Sequence, residues 1–199
     1  MSTVGQREKK TQARVVKLFC DTLKYDYLGD WTDREGNRNI EADWLRAFLK
    51  KQGHNEALIR RTLYILDKAA GDQSKSLYDR NKAVYELLRY GVKVRPDVGE
   101  HHQNIWLIDW KQPEKNHFAI AEEVTVPGAD PKAYTKRPDV VLYVNGLALG
   151  VLELKRSTVS MAEGIRQNLD NQKKVFIEPF FSTMQLIICL LYTSDAADE

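Results

Sequence analysis

Apolar positions recur at helical spacing through the first half of the chain and gather into short, dense runs through the second. Ile40, Trp44, Leu45, Phe48 and Leu49 repeat every three to four residues, so this spacing predicts a helix. Asn39 is a good N-cap for it, and Gly53 suits the position just past its end. A second helix is predicted from about Glu56 to Ala70, with Leu58, Ile59, Leu63 and Leu66 on its apolar side. A third is predicted from about Leu77 to Tyr90, closed by Gly91. Ahead of them, a basic cluster leads into Val15, Val16, Leu18 and Phe19, which reads as a short helix. Residues 25–38 are rich in turn formers and read as loop. Residues 1–90 are therefore expected to form a mostly helical region.

The pattern changes after Gly91. Ile105 to Ile108 and Phe118 to Ala121 are short apolar runs flanked by the breakers Gln112-Pro113 and Pro127-Gly128. Val140 to Val144 and Leu147 to Leu154 follow, joined by Asn145-Gly146, a strong hairpin signal. A helix is predicted from near Ser160, where Ser160-Met161-Ala162-Glu163 has capping-box form and Ala162, Ile165 and Leu169 can face a sheet. Met184 to Ile188 reads as one more strand. Helices and strands in this order make an α/β fold class.

Three charges interrupt the hairpin's apolar runs: Asp139 just before the first strand, and Glu153 and Lys155 near the end of the second. Charges are costly to bury unpaired, so their presence there asks for a reason. Side chains alternate along a strand, which puts Glu153 and Lys155 on one face roughly 7 Å apart, with Leu152 and Leu154 pointing the other way into the core. Asp139 shares that face only under a condition. A plain two-residue turn at Asn145-Gly146 pairs Asp139 with Leu152 and points it away from Glu153. A shared site therefore requires an odd-numbered loop, such as Asn145 to Leu147, or a bulge, such as one at Gly150.

The residue types suit phosphodiester hydrolysis. Asp139 and Glu153 are hard oxygen ligands for Mg2+, which usually keeps several waters. The metal can polarise a phosphoryl oxygen and lower the pKa of its water. Lys155 can orient or help deprotonate that water, or steady developing charge. The backbone carbonyl of Leu154 can supply a further ligand. The competing reading is a surface ion pair on a hairpin.

Composition changes this picture little. The chain has 199 residues, 43% hydrophobic and 29% charged, enough for a globular domain with a helical extension. Net charge is +2, which by itself says nothing about nucleic acid. No apolar run approaches a membrane span, and the N-terminus lacks an apolar signal core, so a cytoplasmic protein is expected. The two cysteines, Cys20 and Cys189, form no metal motif. The final segment, Cys189 to Glu199, resembles translated read-through of a sequencing-library adapter and is expected to be non-native. Without its three acids, 25 acidic residues stand against 30 basic, a charge of +5. On this reading the native protein continues beyond Ile188.

Pro138-Asp139 followed by Glu153-Leu154-Lys155 resembles the PD-(D/E)xK nuclease signature. Residues 137–172, the segments from Gly91 through Asp109 and Asn116 to Phe118, and Tyr27 to Trp31 with Asn39 to Glu41 resemble the N-terminal nuclease domain of the restriction (R) subunit of type I restriction enzymes. The resemblance covers most of residues 25–188. It implies a PD-(D/E)xK restriction-endonuclease-like core, a mixed central sheet flanked by helices, over 91–188, with the helical region of 1–90 packed on it and the Glu41 helix a candidate to belong to that core. It implies Mg2+-dependent cleavage of unmodified duplex DNA. It also implies an ATP-dependent motor elsewhere in the subunit, and methyltransferase and specificity subunits as partners. The family carries a QxxxY motif on the helix after the lysine. Gln167 falls where its glutamine belongs, to contact DNA or brace the site, but Asn171 stands in place of the tyrosine. The family also implicates an acid on a helix preceding the sheet, for which Glu41 is the candidate metal ligand; the helix dipole explains an acid there equally well. The alternatives are another PD-(D/E)xK nuclease of repair or junction type, or an inactive DNA-binding module of the same fold.

Arg137, Lys136 and Arg156 flank the site as phosphate candidates. Lys50-Lys51 and Arg60-Arg61 read as solvated helix faces, or as a track for a DNA backbone. His54, His101, His102 and His117 show no metal-ligand spacing. Trp31, Trp44, Trp106 and Trp110 are read as core and loop anchors rather than base-stacking platforms. No Gly-rich phosphate loop is present, so any motor lies outside these residues.

Overall fold

The computed structural model describes residues 3–96, 101–128, 130, 134–156 and 161–192, with the side chains of 3–8, 156, 161, 163, 164, 168 and 192 outside that description. The chain forms α1 (Thr3–Lys17), β1 (Asp26–Asp30), α2 (Ala42–Lys51), α3 (Glu56–Gly71), α4 (Leu77–Tyr90), β2 (Val92–Val94), β3 (Gln103–Ile105), β4 (Phe118–Glu122), β5 (Val140–Val144), β6 (Leu147–Arg156), α5 (Met161–Asn171) and β7 (Leu186–Tyr192). β2 and β3 pair with each other. The other strands form one mixed sheet in the order β1-β4-β5-β6-β7. The β4-β5-β6 meander is antiparallel, and β1 and β7 flank it in parallel with β4 and β6.

The helices predicted over 56–70 and 77–90 match α3 and α4. Asn55 and Ser76 cap them, each accepting from a backbone N–H three residues on, and Gly91 closes α4 at φ 77°. Two expectations are corrected. Asn39 is not the N-cap of α2: Ile40 bridges to Leu147, which holds the chain extended until Glu41. The Asn39 amide instead donates to Pro179 O and Ser182 Oγ. Residues 25–38 are not all loop, because Asp26–Asp30 adds a strand to the sheet edge beside β4. Its sequence lacks apolar alternation because its side chains are exposed or half-buried.

Three apolar cores fill the molecule. α1 and the helical turn that follows it lay Val15, Val16 and Phe19 over Ile120, Val140, Leu142 and Leu152 on one face of the sheet. The other face carries Val141, Tyr143, Ala148 and Val151, covered by Trp31, Ile177, Phe180, Phe181 and Met184. α2, α3, α4 and the β2–β3 pair share a core that meets the sheet at Leu147. α4 also staples the segment before β7. Arg80, 1% exposed, pairs with Glu178 at 2.9 Å, and the Asn81 amide donates to Met184 O at 2.6 Å.

One further expectation is corrected. Ile165 and Leu169 of α5 do not face the sheet but are exposed. Trp31 is buried in the core, whereas Trp106 and Trp110 lie on the loop after β3, 40% and 50% exposed. The capping box at 160–163 lies outside the described residues. β7 runs through Tyr192, four residues into the segment read as non-native, and 193–199 lie outside the description. Among the described residues, no helix is long and apolar enough to cross a membrane.

Candidate active site

The β5–β6 turn is where the site's geometry begins. Asn145 and Gly146 both have positive φ, 52° and 85°, as a tight two-residue hairpin turn demands. Asn145 is fully buried; its amide donates to Leu107 O and Asn116 Oδ1, and its Oδ1 accepts from His117 N. These bonds clamp the turn to the loop before β4. Gly146 is required for a second reason: a Cβ there would lie 2.7 Å from Glu41 O.

From the turn, Val144 pairs with Leu147 and Tyr143 with Ala148, but Leu142 pairs with Gly150. Leu149 is the extra residue of a β-bulge. Beyond it Val141 faces Val151 and Val140 faces Leu152, so the next step sets Asp139 opposite Glu153. This is the bulge that the face arithmetic required. Asp139 Oδ2 accepts from Leu154 N at 2.6 Å, which fixes its carboxylate against β6. Leu152 and Leu154 are buried, as the alternation predicted.

Glu153 is 2% exposed and pairs with Lys155, Nζ to Oε2 3.5 Å. Burial, and then the neighbouring charge of Asp139, push its carboxyl from 4.5 up to about 7, with Lys155 pulling the other way. Near neutral pH the two carboxylates thus resist carrying two charges together. A divalent cation relieves that repulsion, and the donor set, two hard carboxylates with an ammonium beside them, fits one. Among the described residues no group of three His, Cys, Asp or Glu could hold a metal, so backbone carbonyl, water or substrate oxygens would complete any such sphere.

Glu41 is not brought to this pair. Its N–H donates to Gly146 O at the turn, six residues of β6 from Glu153, roughly 20 Å at the rise of a strand. There its carboxylate takes both Nη atoms of Arg34 at 2.8 and 2.7 Å, an arrangement that steadies the start of α2. Gln167 is exposed on α5. Asn171 is buried, its Oδ1 without a hydrogen-bond partner and its backbone O accepting from Ile177 N. It therefore acts inside the fold rather than on the open side of the site. Arg137 bonds Glu123 Oε2 through Nε at 2.8 Å, and the Lys136 ammonium lies 4.1 Å from the Phe176 ring centre. The Arg156 side chain lies outside the described residues.

Sequence reasoning missed two neighbours. Glu123 donates its N–H to Asp139 O at 2.9 Å and adds to the negative charge felt by Glu153. With Glu122 it closes an apolar run as Asp139 precedes one, a signal that could have found it. Gln12, buried on α1, reaches Asp139 O with its amide at 3.4 Å, and nothing local in the sequence marks it.

The chain resembles a known protein and matches a known family. One is a protein of Methanocaldococcus jannaschii that carries the name of a type I restriction enzyme endonuclease subunit. The two are 33% identical over 78 residues, which is 38% of this chain and 8% of that protein's length. A family model described as type I restriction enzyme R protein N terminus matches residues 5–190. The match takes in the whole sheet except the last residues of β7, and the chain belongs to that family.

Proposed function

We propose that this chain is the magnesium-dependent endonuclease domain of a type I restriction enzyme R subunit, with a PD-(D/E)xK core that hydrolyses unmodified duplex DNA. The observation that carries this reading is the placement of Asp139 opposite Glu153, with Lys155 flanking, at the open end of a hairpin whose other end is clamped. Asp139 and Glu153 would hold the ion. Bound there, it would supply a Lewis acid for a phosphoryl oxygen and a water of lowered pKa. The Leu154 N–H keeps the Asp139 carboxylate oriented before any ligand arrives. Glu153 must give up its proton to act as a ligand, and its raised pKa lets it do so near neutral pH. Lys155, two residues along the same face, is positioned to orient the attacking water or meet developing charge on the phosphate. Arg137 and Lys136, at the strand end beside Asp139, supply positive charge toward a DNA backbone.

In the full assembly this reading places an ATP-driven motor elsewhere in the subunit and methyltransferase and specificity subunits as partners. The test is DNA cleavage by the complex carrying Asp139→Asn, Glu153→Gln or Lys155→Ala. Each variant is expected to lower cleavage by at least about a hundredfold while ATP hydrolysis persists. Cleavage at the wild-type rate by any of the three would remove that residue from the mechanism. Wild-type rates in all three would leave a module that binds without cutting.

A further inference from the structure

A second cavity lies away from the carboxylates. It has a volume of about 780 Å³ and lies between the C-terminal ends of α2 and α4 and the loop after β3. That loop is tied to the hairpin turn through Leu107 O, at the end of β6 away from Glu153. Its walls combine two chemistries. Trp106 and Trp110, 40% and 50% exposed, present aromatic surface. Trp110 is held in place by its indole N–H, which donates to Leu88 O at 2.8 Å. Around them stand Lys51, Arg89, Lys111 and Lys115, all exposed, and none in a salt bridge among the described residues. The lining's one carboxylate, Asp109, is turned to its own loop, accepting from Lys111 N and Gln112 N. Burial lowers the pKa of His54, which favours its neutral form.

We propose that this cavity binds a nucleotide unit, a planar base with its phosphate, as a second nucleic-acid site remote from the carboxylate pair. Arg89 already lies over the Trp110 ring, 6.0 Å from its centre; an apolar ligand would leave the three lysines unused, and a bare anion would leave the exposed indole of Trp106 unused. A base stacked on Trp with phosphate among the lysines uses both. The volume falls within the range of small-ligand sites, about 300–1,000 Å³. The inference stands on this cavity alone and holds whether or not the carboxylates cleave DNA. The unit can come from a single strand or from a free nucleotide.

The test is fluorescence anisotropy in EDTA with a labelled single-stranded dT 15-mer and an abasic 15-mer of equal charge. The wild-type protein is expected to bind the ordinary strand about tenfold more tightly than the abasic one, in keeping with stacking on one side chain. Trp106→Ala should lose that discrimination by weakening only the ordinary strand. Lys111→Gln/Lys115→Gln, both on an exposed loop, should make the salt dependence shallower by roughly 1.4 in log–log slope. Competition by AMP would identify a free nucleotide as the source; binding of the strand without such competition would identify a strand segment. Equal affinity of the wild-type protein for the two strands, or discrimination unchanged in Trp106→Ala together with an unchanged salt slope in the lysine variant, overturns the proposal.

Discussion

Asp139 faces Glu153 across β5 and β6 because Leu149 is unmatched in the ladder. One extra residue in β6 brings the two carboxylates to the same side of the sheet. Without it Asp139 would have pointed toward the covering segment at 177–184 and Glu153 toward α1. The bulge therefore decides whether these residues form a site at all.

The buried Glu153 makes stability depend on pH. Its carboxyl titrates near 4.5 when unfolded and at about 7 in the fold, so between those values the native state holds the extra proton. Stability from this group is thus full below about pH 4.5, falls as pH rises to about 7, and is level above. At 1.4 kcal/mol per pKa unit the loss is on the order of 3 kcal/mol. In EDTA, Glu153→Gln should therefore be more stable than the parent at pH 8 and no more stable at pH 4.5. Urea denaturation at the two pH values checks this, and an equal effect at both would contradict it.

The same proton would link the proposed metal binding to pH. A divalent ion at the pair must displace it, so affinity for Mn2+ or Mg2+ should fall by up to about tenfold per pH unit below about 7 and level off above. Calorimetry in two buffers of different ionisation enthalpy should show proton release at pH 6.5. Asp139→Asn should abolish the binding. Affinity that ignores pH between 5.5 and 7 would separate the metal from Glu153.

Gly146→Ala tests the clamped end of the hairpin. Its φ of 85° and the approach of Glu41 O to 2.7 Å from a built Cβ penalise the change twice. Gly36→Ala suffers only the backbone penalty, since φ is 73° and the space is open. We expect a loss of about 1–2 kcal/mol at Gly36 and roughly 1–3 kcal/mol more at Gly146. Equal losses in chemical denaturation would mean that the strand and α2 can move apart freely.

Arg80 and Glu178 form a buried pair in which Arg80 Nε and Nη1 have no hydrogen-bond partner. Removing either partner alone should cost about 3–5 kcal/mol, because it leaves the other charge buried. The double change Arg80→Met/Glu178→Leu should cost much less than the sum. A double-mutant cycle on unfolding free energy decides, and strict additivity would show that the pair does not interact.

Local pattern alone determined much of this protein. The spacing of apolar residues marked α3 and α4, Asn145-Gly146 marked the hairpin turn, and charges set against apolar runs marked Asp139, Glu153 and Lys155. These signals are short-range, because backbone periodicity and turn chemistry act between neighbours. Tertiary structure decided the rest. It set the bulge at Leu149, recruited Asp26–Asp30 as an edge strand, and placed Gln12 and Glu123 beside Asp139. It also set Glu41 at the far end of the hairpin and left Trp106 and Trp110 at the surface of a cavity. Each of these depends on which distant segment packs where, and a helical or strand period carries no information about that.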